Sequence, residues 1–402
     1  MKKVIIVGAG PSGLTAAIKL SKKYEVIVLE RNDKIGKKLL LTGSGHCNYY
    51  NSDQDIKHYH SNNPDLIKEL VKENNLNKVN TFFNKIGLVP KIKNGYYYPM
   101  SNQATSVNNA LISECLNRSV KILTNEFVKS IRKNENTFEV ETSNNKYTCD
   151  KLVLSTGSCA YPKTGSDGNG YDLLRSFNIP VTNIYPSLVQ INCKKDKFNY
   201  KDWDKVRCDA SVKLIENNIE IKKEVGQIQL TDYGLSGICI MQLSGLINKG
   251  INNNKKEQVE INFLPEINDL KQYLINRSNI LKNRELEDLL DGLLNYKLVN
   301  LILKTLKISH KKWNELTNKE IDDLVNFISK LKLEVTSTKS FDNSQTVTGG
   351  VPLTEINLDT LETNKVKGLY LTGELIDIDG DCGGYNLTLS WLTGLVVGGQ
   401  ND

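Results

Sequence analysis

Lys3-Val4-Ile5-Ile6-Val7-Gly8-Ala9-Gly10-Pro11-Ser12-Gly13 is the stretch whose reading decides the fold. A continuous apolar run of four residues, Val4 to Val7, has the look of a buried strand. It passes straight into a GxGxxG turn. Leu14 to Leu20 follows with the small and apolar spacing of a buried helix. Glu25–Leu29 is a second apolar strand, and it ends at Glu30. Strand, glycine turn, helix, strand and terminal acid together form a Rossmann dinucleotide fingerprint. Gly8, Gly10 and Gly13 let the backbone turn tightly and approach a pyrophosphate. Pro11 starts the helix and Ser12 adds a donor, while the helix N-terminus offers N–H groups and partial positive charge. Glu30 is placed to bond a ribose diol, with Arg31 beside the adenine.

Outward from this stretch, residues 54–118 read as helical segments joined by polar turns. Short strands follow around Val120–Leu123, Phe138–Glu141 and Tyr147–Cys149. Val128 lies on a strand placed to give backbone bonds to adenine. Lys151–Leu154 is another buried strand, running on to Thr156-Gly157. Residues 186–263 alternate apolar and polar with a period of two, which predicts antiparallel β structure. Residues 266–332 change to Leu and Ile at intervals of three and four, which predicts helices. Gly368 to Glu374 is a last buried strand, ending at Gly373-Glu374. Gly383-Gly384-Tyr385-Asn386-Leu387 then leads into an apolar helix.

The 402-residue chain carries 52 Lys+Arg against 46 Asp+Glu, a formal net charge of +6. Only seven of the 52 are Arg, the better fork for phosphate, which is not the profile of a dedicated nucleic-acid binder. Hydrophobic residues make up 39% and no apolar run approaches the ~20 residues of a membrane span. The opening MKKVIIVGAG reads as a mature cytosolic start, so a cytoplasmic location is expected. The eight cysteines form no CxxC pair, and no metal-ligand spacing, P-loop or Ser-His-Asp order is found. His58 and His60 lie in a polar stretch and read as surface residues.

An N-terminal fingerprint and a C-terminal strand-Gly-Glu-helix unit suit a long cofactor. The first would hold the ADP half of FAD and the second its ribityl and ring half. Thr156-Gly157 continues without a second GxGxxG, so NAD(P)H would visit only transiently as electron donor.

Five ordered blocks carry a family resemblance. They are Gly36 to Asn48 (GKKLLLTGSGHCN), Thr156 to Tyr171, Thr231 to Gly237 (TDYGLSG), Gly349-Gly350-Val351, and Gly368 to Glu374 with Asp377 to Leu387. Together they resemble the YhiN/BaiN-like, or aminoacetone-oxidase-like, flavoproteins. The resemblance implies an α/β fold: a Rossmann-type FAD-binding domain (1–188 and 337–402), an inserted β-barrel-like domain (189–265 and 333–336) and a helical subdomain (266–332). It places Lys38, Leu39, Gly45, Cys47, Asn48, Gly373, Glu374, Asp381, Gly384, Tyr385, Asn386 and Leu387 along FAD. His46, Tyr161, Asp232 and Tyr233 are the acid or hydrogen-bonding groups within the blocks. Tyr233 is first choice as proton donor, because Gly234 beside it offers flexibility. His46 stands where relatives commonly have Arg, and Asp232 where many have His.

The expected activity is NAD(P)H-linked reduction of an activated C=C bond in a small molecule. Oxygen-dependent amine oxidation, flavin-dependent reduction of a uridine in ribosomal RNA, and a non-catalytic flavin sensor stay open as alternatives. The sequence leaves the oligomeric state undetermined.

Overall fold

A computed structural model describes residues 1–399, which divide into two compact units. One comprises Met1–Tyr185 together with the stretch from Gln345 onward, and the other Pro186–Ser344.

The first unit is built on a five-stranded parallel sheet. Its order is Lys121–Leu123, Glu25–Leu29, Lys3–Val7, Lys151–Leu154, Leu369–Leu371, so the chain order reads 3-2-1-4-5. Lys3 pairs with Glu25 on one side, and Val4 pairs with Lys151 on the other. Strands covered on both faces should be apolar throughout. Val4, Ile5, Ile6, Val28, Leu152, Val153, Leu154, Leu369 and Leu371 are fully buried. The strand order reverses between Lys3–Val7 and Lys151–Leu154. A crevice outside the carboxyl ends at such a switch point is where open α/β sheets bind ligands. This is the Rossmann-type α/β architecture that the fingerprint predicts.

Helices Pro11–Leu20 and Tyr385–Val396 pack closely against each other. A Cβ on Gly394 would stand 2.7 Å from the Ser12 carbonyl oxygen. Trp391, fully buried, donates its indole N–H to the Tyr49 carbonyl at 2.8 Å. An antiparallel meander of Val128–Lys133, Phe138–Thr142 and Lys146–Cys149 leads back to the fourth strand. Residues 54–118, read from sequence as helical segments joined by polar turns, also hold Pro90–Lys93 and Tyr96–Pro99, which form a small sheet with Tyr50–Asn51. Strands of two to four residues carry too short a period to be read.

The second unit holds a closed six-stranded antiparallel barrel. Its order is Ile191–Cys193, Gly234–Ser236, Ile219–Leu230, Arg207–Glu216, Glu257–Asn262, Leu331–Thr338. Helix Ile238–Asn252 lies within the region read as β throughout. Its apolar run Ile238-Cys239-Ile240-Met241 is the kind that periodicity alone cannot assign. Helices Leu270–Ile280, Leu286–Leu290, Tyr296–Leu306 and Asn318–Lys330 share one hydrophobic core with the barrel, including Trp203, Leu301 and Ile328.

Candidate functional site

The glycine turn lies at the switch point of the parallel sheet. Gly8 has φ +105°, and a Cβ there would stand 2.4 Å from the Ser155 carbonyl oxygen, so only glycine fits between the two strand ends. Gly13 would place a Cβ 2.0 Å from the Gly8 carbonyl oxygen; its role is close packing of helix on strand. Gly10 differs from both. Nothing lies within 4 Å of its Cβ position, and its φ of −83° suits any residue. The open space beside Gly10 is where a pyrophosphate would approach the helix N-terminus, at which Pro11 takes the first position.

Glu30 is buried at the end of its strand. Its Oε2 accepts from the Ala9 N–H at 2.8 Å, and its Oε1 accepts from Asn32 N–H and Nδ2 at 2.9 and 2.7 Å. The carboxylate is therefore fixed against the glycine turn, and each oxygen keeps lone pairs for a diol. Arg31 is tied to Asp167 at 2.7 Å and lies 4.6 Å over the Phe127 ring. Val128 begins its strand with its side chain buried.

Residues from the end of the chain close on the same turn. A Cβ on Gly373 would meet Ser12 Oγ at 2.6 Å. Lys38 Nζ donates to Glu374 Oε2 at 2.6 Å, and Ser158 Oγ donates to the same oxygen at 2.8 Å. Lys38 is thus neutralised by Glu374 rather than held as a lone cation for phosphate. Leu39 sends its side chain into the core and its carbonyl accepts from Thr42, so the structure places it in packing. Thr156 abuts helix Asn169–Arg175, with Oγ1 1.9 Å from the Cβ position of Gly170. Gly157 has φ +74° and turns the chain away from the strand end.

The segment Gly43 to Asn48 approaches the N-terminus of the last helix. Nothing lies within 4 Å of a Cβ on Gly45. Asn48 Oδ1 is buried without a hydrogen-bond partner and stands 3.1 Å from the Cβ position of Gly384. A buried acceptor left unpaired costs free energy. A bound ring carrying an N–H donor would satisfy it, and open space at Gly10 and Gly45 accepts the rest of a long dinucleotide. The residues present therefore fit FAD.

Cys47 is fully buried, and burial pushes its thiol up to about 12, against a Thr42 hydrogen bond that opposes the shift. A thiol held that high is a packed group rather than an activated redox cysteine. Asn386 spends its amide on Gly380, donating to the carbonyl at 2.7 Å and accepting from the N–H at 2.9 Å. Leu387 packs against the core of this unit. Tyr385 is buried, which pushes its phenol upward, and stacks on His58 at 4.5 Å.

His58 and His60 are not the plain surface residues the sequence suggests. His58 Nδ1 lies 3.0 Å from Asp381 Oδ2, and His60 Nε2 lies 2.9 Å from Asp381 Oδ1. Their partner is more than 320 positions away, a relation that no local pattern carries.

Of the acid groups, His46 is exposed, with Nδ1 2.9 Å from the Asn102 carbonyl. Tyr161 is 36% exposed and holds φ +60°, a conformation uncommon for an aromatic residue. Asp232 and Tyr233 belong to the second unit. The Asp232 N–H donates to Asp204 at 3.1 Å. Tyr233 lies 3.8 Å beneath Lys339 Nζ, and burial pushes its phenol upward. The Cβ position of Gly234 is 2.4 Å from the Ile191 carbonyl oxygen, so close strand packing requires a glycine there. Among the described residues, no three His, Cys, Asp or Glu are grouped for a metal ion and no helix is long and apolar enough to cross a membrane.

The chain is 34% identical over 407 residues to a 3-dehydro-bile acid delta(4,6)-reductase of Clostridium scindens, covering 99% of this chain and 98% of that protein. It is 28% identical over 401 residues to a ribosomal RNA dihydrouridine synthase of Haemophilus influenzae, covering 96% and 95%. Among solved structures, the open conformation of a flavocytochrome c3 fumarate reductase shares the fold, with a TM-score of 0.50 and 14% identity over 99% of this chain and 77% of that one. The kinship agrees with the YhiN/BaiN-like resemblance carried by the five sequence blocks. With its match spanning residues 2–400, the chain belongs to the HI0933-like protein Rossmann domain family.

Proposed function

We propose that the protein is an FAD-dependent oxidoreductase that reduces an activated C=C bond in a small molecule, with NAD(P)H as transient electron donor. The observation that carries this reading is kinship over 99% of the chain with a protein named as a bile-acid reductase. The switch-point turn, with open space at Gly10 and an unpaired acceptor at Asn48, supports the cofactor.

Bound here, FAD supplies hydride transfer between a nicotinamide and the acceptor. Gly8, Gly10, Pro11, Ser12 and Gly13 present the helix N-terminus to the pyrophosphate. Glu30 takes the adenosine ribose, and Arg31 flanks the base. Gly45, Cys47, Asn48, Gly373, Glu374 and Gly384 to Leu387 shape the far half. The N-terminus of helix Tyr385–Val396 would offer partial positive charge to the ring half of the cofactor. Reduction of an enone also needs a proton, for which Tyr233, Asp232, Tyr161 and His46 are the candidates.

Anaerobic stopped-flow tests the reading. Bleaching near 450 nm by NADH or NADPH, then recovery on adding a steroid-like enone, is the expected result. Bleaching without recovery on any enone, together with peroxide release on an amine, would move the assignment to an oxidase. Kinship with the ribosomal RNA dihydrouridine synthase favours a second reading, in which the acceptor is a uridine. Loss of dihydrouridine from ribosomal RNA in a deletion strain would establish it.

A further inference from the structure

His58 has a carboxylate at each end of its ring. Nδ1 faces Asp381 Oδ2 at 3.0 Å and Nε2 faces Asp53 Oδ2 at 3.1 Å. An ionised carboxylate only accepts, so the ring satisfies both contacts when each nitrogen carries an N–H. The same ring stacks on Tyr385, the first residue of the last helix, with an interplanar angle of 19°. Asp381 is 9% exposed and also holds His60. Backbone bonds knit the two segments together: Gly380 pairs with Tyr59, and the Asp381 N–H donates to the His58 carbonyl at 2.9 Å.

We propose that His58 is a positioning and charge-balancing residue for the cofactor: clamped between Asp53 and Asp381, it fixes the loop ahead of Tyr385 and offsets the negative charge around it. This rests on the reading that the N-terminus of that helix receives FAD. The charged neighbours on its own segment are Asp53, Asp55, Lys57 and His60, with Lys57 paired to Asp55 at 3.2 Å. The facing segment brings Asp379, Asp381, Cys382 and Tyr385, and the hairpin brings Tyr96, 3.1 Å from the Cβ position of Gly383. Asp53 and Asp381 both face the ring, so a ring carrying both N–H donors offsets part of their negative charge ahead of the helix N-terminus. A side chain that cannot reach both carboxylates leaves one of the two contacts unmade and the loop looser.

The test is FAD titration of the apoprotein, with wild type and His58→Gln. His58→Gln should bind FAD about tenfold more weakly, the weight of one charge-assisted contact. In the loaded protein it should also lower the flavin midpoint potential, while Asp381→Asn raises it. Thermal melting of each apoprotein reports whether the variant folds. A folded His58→Gln with wild-type FAD affinity and potential overturns the proposal alone. Wild type that takes up no FAD refutes the cofactor reading and the proposal with it.

Discussion

Replacing Gly10 with alanine should weaken cofactor binding while sparing the protein, whereas replacing Gly13 should destabilise the protein itself. At Gly10 the backbone sits at φ −83°, where alanine is unstrained, and no atom lies within 4 Å of the new methyl group. Alanine stiffens the unfolded chain by about 0.4–1 kcal/mol and is a poorer helix cap by a similar amount. The two nearly cancel, so the apoprotein should melt within a few degrees of wild type. The methyl group would occupy the space of the approaching pyrophosphate. Overpacking costs about 1–3 kcal/mol, which is roughly a 5- to 150-fold rise in Kd. At Gly13 the methyl group would stand 2.0 Å from the Gly8 carbonyl oxygen, and helix or strand must shift. That variant should lower the melting temperature of the apoprotein itself. Differential scanning fluorimetry reads the first quantity, and quenching of flavin fluorescence the second. Gly10→Ala with wild-type FAD affinity would refute the placement of the pyrophosphate.

Other outcomes follow from the same geometry. Glu257 is 2% exposed and lies directly across the strand pair from Glu216, and burial, then that neighbouring carboxylate, pushes it from 4.5 to about 7. The folded form therefore holds its proton more tightly, and stability present below pH 4.5 is lost as pH rises through 7, on the order of 3 kcal/mol. Glu257→Gln should melt like wild type near pH 4 and higher than wild type at pH 8.5; equal melting at both would remove the pair as a source of strain. Cys47→Ala should keep the rate of anaerobic flavin reduction within about threefold, since a thiol at about 12 supplies no thiolate; a hundredfold loss would restore a redox role. Tyr161→Gly should gain about 1 kcal/mol by relieving a left-handed φ, whereas Tyr161→Phe should leave melting unchanged and slow enone reduction only if its hydroxyl delivers the proton.

What the sequence made legible is local or periodic. The glycine turn, its flanking strands and the acid at Glu30 occupy one short stretch, where unbroken apolar runs mark the strands and a 3.6-residue spacing marks the helix. The buried strands at Lys151 and Leu369 announce themselves by unbroken apolar runs. The helices after residue 266 follow from leucine spacing. Helix Ile238–Asn252 escaped because four apolar residues in a row fit a strand as well as a helix. The hairpin sheet around Tyr50 and Tyr97 escaped because its strands are too short for any period. At the site, identities were legible but partners were not. Lys38 pairs with Glu374 across 336 positions, and Asp381 pairs with His58 across 323. The same information that places a lysine in a phosphate-binding motif says nothing of the carboxylate that will neutralise it.

Those distant pairs also explain how a site built from both ends of a chain tolerates so long an interruption. The entropic cost of closing a flexible loop rises only as the logarithm of its length. Going from roughly 30 to roughly 340 intervening residues adds about 2 kcal/mol. A single charge-assisted hydrogen bond contributes about 1.5–3 kcal/mol, and Lys38 with Glu374 is one such bond between partly buried partners. The Trp391 indole on the Tyr49 carbonyl, the Asn51 amide on the Gly383 carbonyl and the contact of Gly373 with Ser12 add to it. The second unit is itself folded around its own core, so the effective loop is shorter than its residue count. The physical demand on the ends is therefore modest: a few specific contacts suffice to join them. The demand is strictest at Gly384 and Gly394, where a Cβ would stand 3.0 Å from the Tyr50 carbonyl oxygen and 2.7 Å from that of Ser12, so backbone meets backbone with little room for a side chain.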